Sequence, residues 1–247
     1  MTTPPATFAS PLLVPLGRGT GDAHTVLLPA AGGGFSPYYS LAGGLTHRGP
    51  VHAIRAMGLM PGEEPDRDVP TMVERYLDLI NSLPTKPSYL VGWSLGGVLA
   101  WELAARLAHQ GDAAPAVVMV DSYARLADRE GATRDEVLDR IGRSMGFEPT
   151  WDQAPRVREV AAAHLDAAHA HLASAGCEPP ALLLSCTAGR GADQLDQWAL
   201  RAPNLRVREV DCDHFEVLDA ARTPTLLRHI DDFLTALDQG SYGTFAG

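Results

Sequence analysis

The chain has 247 residues, 45% of them hydrophobic, which suffices for one large domain with a buried core and speaks against disorder. A formal net charge of -10 at pH 7 excludes a nucleic-acid binder, since phosphate recognition needs a basic face. No apolar run reaches the ~18 residues of a membrane span, and the N-terminus lacks the basic and apolar regions of a secretion signal, so a cytoplasmic location away from membranes is expected.

In chain order, residues 1–9 are unpatterned, and residues 11–16 read as an edge strand. Residues 24–28 form the first continuous apolar run, the pattern of a strand covered on both faces. It ends in Pro29-Ala30-Ala31-Gly32-Gly33-Gly34, after which Ser36 as N-cap and Pro37 at the first helical position predict a short helix. A strand at 51–54, a Gly/Pro-rich loop over 55–68 and a helix from about residue 70 follow, the helix stopped by Pro84 and Pro87. The apolar run 88–91 leads into Gly92-Trp93-Ser94-Leu95-Gly96-Gly97 and then a helical pattern over 98–107. Strand 116–120 runs into Asp121. From about 122 to 176 the alternation lapses into two helical stretches, 134–145 and 156–173, which read as a lid. A strand at 181–185, a helix at 193–201, a strand at 205–210 and a helix capped by Thr223-Pro224 complete the chain. Such alternation implies a mostly parallel sheet with helices on both faces.

Gly92-x-Ser94-x-Gly96 between strand and helix is the context of a nucleophile elbow. The serine sits on a strained turn, and glycines flank it because a Cβ would collide there. A serine hydroxyl needs a base, the base needs an orienting carboxylate, and the oxyanion needs N–H donors. His214, in the loop after the last strand, is the base candidate; His164, His169 and His171 read as surface or lid-packing residues, and the remaining histidines as structural. Two carboxylates compete as the acid: Asp121, favoured by its strand, and Asp193, after the next strand. The oxyanion donors are the backbone N–H groups of Leu95 and, from the glycine loop, Ala31. Cys177, Cys186 and Cys212 read as reduced thiols in or near the core, and no metal site is expected.

These residues give the chain a resemblance to the thioesterase domains of nonribosomal peptide and polyketide synthases. The matching stretches are residues 28–33 and 39–42, residues 91–97, Val120-Asp121-Ser122-Tyr123, Trp198 and Asp213-His214-Phe215. The resemblance implies an α/β-hydrolase fold over residues 1–247 as a single domain, with the lid at about 122–176. It also implies release of an acyl or peptidyl chain from the phosphopantetheine thioester of a carrier protein through an acyl-serine, by hydrolysis or macrocyclisation, with no tightly bound cofactor. Integrated (type I) relatives place the acid at the position of Asp121, and stand-alone editing (type II) relatives nearer Asp193; Ala31 matches the second oxyanion donor. Nothing upstream resembles a carrier domain, so either an excised domain or a free-standing relative acting in trans is expected, docking carriers through Arg125, Arg129 and Arg134 near the lid entrance. The competing readings are an editing thioesterase, a general carboxylesterase and a small-ligand binder on the same fold.

Overall fold

The computed structural model describes residues 12–127, 132–148, 151–191 and 193–240. Among the described residues there are seven strands: β1 (Leu13–Gly17), β2 (Thr25–Leu28), β3 (Val51–Ile54), β4 (Tyr89–Trp93), β5 (Ala116–Val120), β6 (Ala181–Cys186) and β7 (Leu205–Val210). They join in one sheet of order β1-β3-β2-β4-β5-β6-β7, in which only β1 is antiparallel. The helices are α1 (Tyr39–Leu45), α2 (Val69–Asn81), α3 (Leu95–His109), α4 (Arg134–Ser144), α5 (Ala154–Ala170), α6 (Gln194–Ala199) and α7 (Thr223–Asp238). The architecture is the expected α/β-hydrolase type.

Strands β2, β4, β5 and β6 are buried at successive positions because both faces are covered. Val26 and Leu28 join the core under α2 and α3, while Leu27 between them joins the core under α1 and α7. This two-residue alternation between two cores is what a doubly covered sheet demands. Asp68 caps α2 by accepting from the Thr71 N–H at 2.8 Å, and Thr133 and Glu136 form a reciprocal capping box that starts α4. Each such cap is worth about 1 kcal/mol. No helix among the described residues is long and apolar enough to cross a membrane.

Three local readings need correction. Ser36 is not an N-cap: Phe35 holds that place, and the Ser36 hydroxyl donates instead to the Met145 carbonyl at the end of α4. Thr223 is likewise inside α7, with its hydroxyl directed to the Asp219 carbonyl. In both, a Ser/Thr-Pro pair marks the helix start, but a better-placed carbonyl takes the hydroxyl. Helix α5 stops at Ala170 rather than 173, because the Ala173 N–H pairs with the Ala124 carbonyl (2.8 Å) and the Ser174 N–H with the Glu102 carboxylate (2.7 Å).

Candidate active site

The chain leaves β2 for β3 on one side and returns to β4 on the other, so the direction of winding reverses between β2 and β4. Crevices for ligands open at such a point, beyond the carboxyl ends of the strands. The register fixes what lines up there: Leu28 pairs with Gly92, Trp93 with Val120, Val120 with Leu184 and Cys186 with Val210. Residues just past the strands therefore share one edge, which gathers Ala31, Ser94, Asp121 and the loop bearing His214.

Ser94 has φ 57 and ψ -122, and Asp121 has φ 43. They are the two non-glycine residues with positive φ among the described residues. Strain of this kind costs on the order of 1–3 kcal/mol and persists only where the surroundings impose it. Here the Ser94 N–H is held by the Val120 carbonyl (2.9 Å) and the Asp121 N–H by that of Leu184 (2.7 Å). The elbow also requires its glycines. A Cβ on Gly92 would lie 2.0 Å from the Gly96 backbone, and one on Gly96 would lie 2.6 Å from the Leu28 carbonyl oxygen.

His214 Nδ1 lies 2.7 Å from Asp121 Oδ2. The other carboxylate oxygen of Asp121 accepts from the Cys186 N–H and from Gln194 Nε2, each at 3.1 Å. Burial by itself would push this carboxyl up, but the hydrogen bonds and charge of His214, with those from Gln194 and Cys186, outweigh it and hold Asp121 below its usual range. The imidazole is braced in turn: Trp93 Nε1 donates to the His214 carbonyl at 3.1 Å, and the rings of Trp93 and Phe215 pack against it at 5.2 and 5.1 Å. Of the two competing carboxylates, Asp121 meets the histidine; Asp193 is exposed at the start of α6.

Ala31, Ser94, Leu95 and His214 all line one cavity of about 350 Å³. Its far wall comes from the helical insertion, through Val137, Ile141 and Met145 and, on α5, Leu165 and His169. Leu95 is the first residue of α3, so its N–H belongs to the turn that has no intrahelical acceptor, at the positive end of the helix. The cavity is otherwise largely apolar, with Arg134 and Arg140 contributing cationic groups.

Several residues that pattern alone did not single out shape this site. Gln194, fully buried, receives the Ser185 hydroxyl at its oxygen (2.6 Å) and directs its NH2 to Asp121 and the Ser122 carbonyl. The Tyr38 hydroxyl donates to the Leu28 carbonyl (2.8 Å) and accepts from the Trp93 N–H (2.7 Å), tying the glycine loop to the elbow. Arg140 of α4 pairs with Asp213 (2.7 Å) and lies over the Phe215 ring (4.2 Å), so the insertion grips both neighbours of His214. Nothing local marks these residues; their roles exist only once distant segments meet.

Of the histidines of the insertion, His164 is fully buried and packs within the lid, His169 lines the cavity, and His171, just past α5, pairs with Glu102 at 2.9 Å. Arg134 is engaged by Asp166 at 2.8 Å, Arg125 is exposed, and Arg129 lies outside the described residues. All three cysteines are buried free thiols, with Cys186 and Cys212 Sγ atoms 3.7 Å apart.

Comparison with known proteins bears on the family and the fold. The chain is 31% identical over 144 residues to a dimodular nonribosomal peptide synthase of Bacillus subtilis (strain 168), covering 56% of this chain and 6% of that one. It is 38% identical over 100 residues to surfactin synthase subunit 3 of the same organism, covering 39% and 7%. It thus spans only a small fraction of these relatives' length. Among solved structures, a Vlm2 thioesterase domain bound with a dodecadepsipeptide superposes with TM-score 0.74 at 20% identity, covering 90% of this chain and 96% of that one. The NocB thioesterase domain in covalent complex with a fluorophosphonate nocardicin G analog gives 0.74 at 24%, covering 87% and 96%. These two likenesses speak to the fold. The thioesterase domain model matches residues 24–234, and the chain belongs to that family.

Proposed function

We propose that this thioesterase domain releases an acyl or peptidyl chain from the phosphopantetheine thioester of a carrier protein through an acyl intermediate on Ser94. The observation that carries the reading is the 2.7 Å bond from Asp121 to a His214 that lines the same cavity as a strained Ser94. Asp121 keeps the His214 proton on Nδ1, which leaves Nε2 free as a base. Ser94 Oγ attacks the thioester carbonyl while His214 takes its proton, and the oxyanion is met by the N–H groups of Leu95 and Ala31. Collapse breaks the C–S bond, the pantetheine thiol leaves with the proton held by His214, and the acyl group stays on Ser94. Water, or an amine or hydroxyl of the acyl chain itself, then attacks this ester with His214 again as base; collapse breaks the bond from the acyl carbon to Ser94 Oγ, and His214 returns the proton to the serine. Water yields a linear acid; the internal nucleophile yields a ring.

Helices α4 and α5 act as the lid. Their apolar wall favours an acyl chain with substantial hydrophobic surface and limits water near the ester. The placement of the acid favours the integrated type over the editing type. The test is a panel of acyl- and peptidyl-pantetheine thioesters, with matched oxygen esters, followed by mass spectrometry of the products. Preference for the thioesters with release of acid or ring is the expected result; efficient turnover of small oxygen esters alone would make the protein a general carboxylesterase.

A further inference from the structure

His164 is a fully buried titratable residue of α5 whose chemistry the reaction above leaves unused. Its side chain is 0% exposed, and both ring nitrogens are buried without a hydrogen-bond partner of normal geometry. An unsatisfied buried polar group is destabilising by about 1–3 kcal/mol, so a plain packing role would be better served by leucine. The ring sits on the face of α5 that packs on the loop assigned to the oxyanion hole: Ala161 and Leu165 cluster with Ala31, and Val160 abuts Gly33; the backbone carbonyls beside it are those of Ala30 and Ala31. The acidic group near it is Asp66, which is itself bound in two hydrogen bonds of 2.9 Å by Arg75.

The loop is pressed between the insertion and the sheet. A Cβ on Gly32 would lie 2.5 Å from Met145 Cγ of the α4 end, and one on Gly33 would lie 2.9 Å from Val160 Cγ1 of α5. The Gly33 N–H closes the turn on the Ala30 carbonyl at 2.8 Å, using one lone pair of that oxygen and leaving the other for a second donor. A trans peptide is rigid, with C=O and N–H directed to opposite sides. The Ala30 carbonyl shares its peptide with the Ala31 N–H, and the Ala31 carbonyl shares its peptide with the Gly32 N–H. Drawing either carbonyl toward α5 turns the corresponding N–H away from α5.

We propose that His164 is a positioning residue for the oxyanion hole: its ring N–H braces the Ala30–Ala31 peptide from behind, so that the Ala31 N–H is presented while α5 is docked. The inference rests on the thioesterase reading for its catalytic meaning, but the bracing is a property of the free protein. Burial holds the imidazole well below its ordinary range, at about 4, so near neutrality it is a neutral ring with one N–H to give. Docking of the lid and readiness of the oxyanion hole are thereby one event.

The experiment compares wild type with His164→Leu, which removes the donor, and with His164→Asn and His164→Gln, whose amides restore an N–H at the two ring-nitrogen positions. The first readout is the backbone amide signal of Ala31 and Gly32 by NMR in the free protein. The bracing predicts that Leu shifts or broadens both signals and that Asn or Gln restores them. The second readout is kcat and KM on a pantetheine thioester: Leu lowers kcat about tenfold to a hundredfold, up to the loss of one donor, with KM little changed, and the same amide variant recovers it. Ala31 signals unmoved in a folded Leu variant, or amide variants no better than Leu in both readouts, overturn the proposal. A wild type that responds at Ala31 but turns over no thioester upholds the bracing and instead contradicts the function proposed above.

Discussion

Replacing Asp121 by asparagine changes one atom at the site, and its consequence follows from what holds the carboxylate. Oδ1 receives two donors, the Cys186 N–H and Gln194 Nε2, each at 3.1 Å. Gln194 cannot flip to accommodate an amide, since its NH2 also donates to the Ser122 carbonyl and its oxygen accepts from the Ser185 hydroxyl. The asparagine must therefore place its oxygen against those two donors and its NH2 against His214 Nδ1. Nδ1 must then accept, the proton moves to Nε2, and the ring can no longer take a proton from Ser94. A wrong-tautomer histidine of this kind lowers kcat by about 10⁴-fold, or roughly 5 kcal/mol of barrier. KM should change little, because Asp121 does not line the cavity. The assay is steady-state turnover of a pantetheine thioester at pH 7–8, beside Asp193→Asn, which alters an exposed carboxylate and should stay within about twofold of wild type. Asp121→Asn within tenfold of wild type, or Asp193→Asn as damaging as Asp121→Asn, would refute the reasoning.

Further outcomes follow from the same contacts. Gln194→Leu strips Asp121 of one donor and the buried Ser185 hydroxyl of its acceptor, while the Ser122 carbonyl keeps Trp198 Nε1, so kcat should fall about tenfold and stability by about 1–3 kcal/mol, measured by kinetics and urea unfolding. Gly97→Ala puts a Cβ 2.0 Å from the buried Ser122 hydroxyl oxygen; it should cost about 1–3 kcal/mol, and Ser122→Ala, which removes that oxygen, should recover part of the lost Tm. His164 gives a pH signature: the unfolded chain takes the proton near 6.5 while the native ring resists until about 4. Protons are thus bound preferentially by the unfolded state across that window, and stability falls as pH drops through it. The difference approaches about 3 kcal/mol, so His164→Leu should show a flatter decline between pH 6.5 and 4 in urea titrations. His24 and His52, also lowered by burial, contribute equally to both proteins.

The parts of this molecule legible in the sequence are those set by local repetition and short spacing. Strand β3 lies where residues 51–54 place it, and the elbow is recognisable because its turn needs Gly92 and Gly96 within five residues. Helix caps were harder, since Ser36 and Thr223 carry the right residue types but their hydroxyls answer to Met145 and Asp219. The choice between Asp121 and Asp193 turns on which strand end faces the loop of His214, a matter of three-dimensional register. Tyr38, Gln194 and Arg140 were illegible for the same reason: each acts on residues 55 to 73 positions away. His164 reads as an ordinary polar position in an alanine-rich helix until the packing of α5 on the glycine loop buries it.

The most direct test of the account is to trap the acyl-enzyme. The protein is mixed with a slowly released acyl-pantetheine thioester, quenched in acid, digested and analysed by mass spectrometry. The account predicts the acyl mass on the peptide containing Ser94 and its absence in Ser94→Ala, together with loss of turnover. An adduct on another residue, or undiminished thioester cleavage by Ser94→Ala, would contradict it.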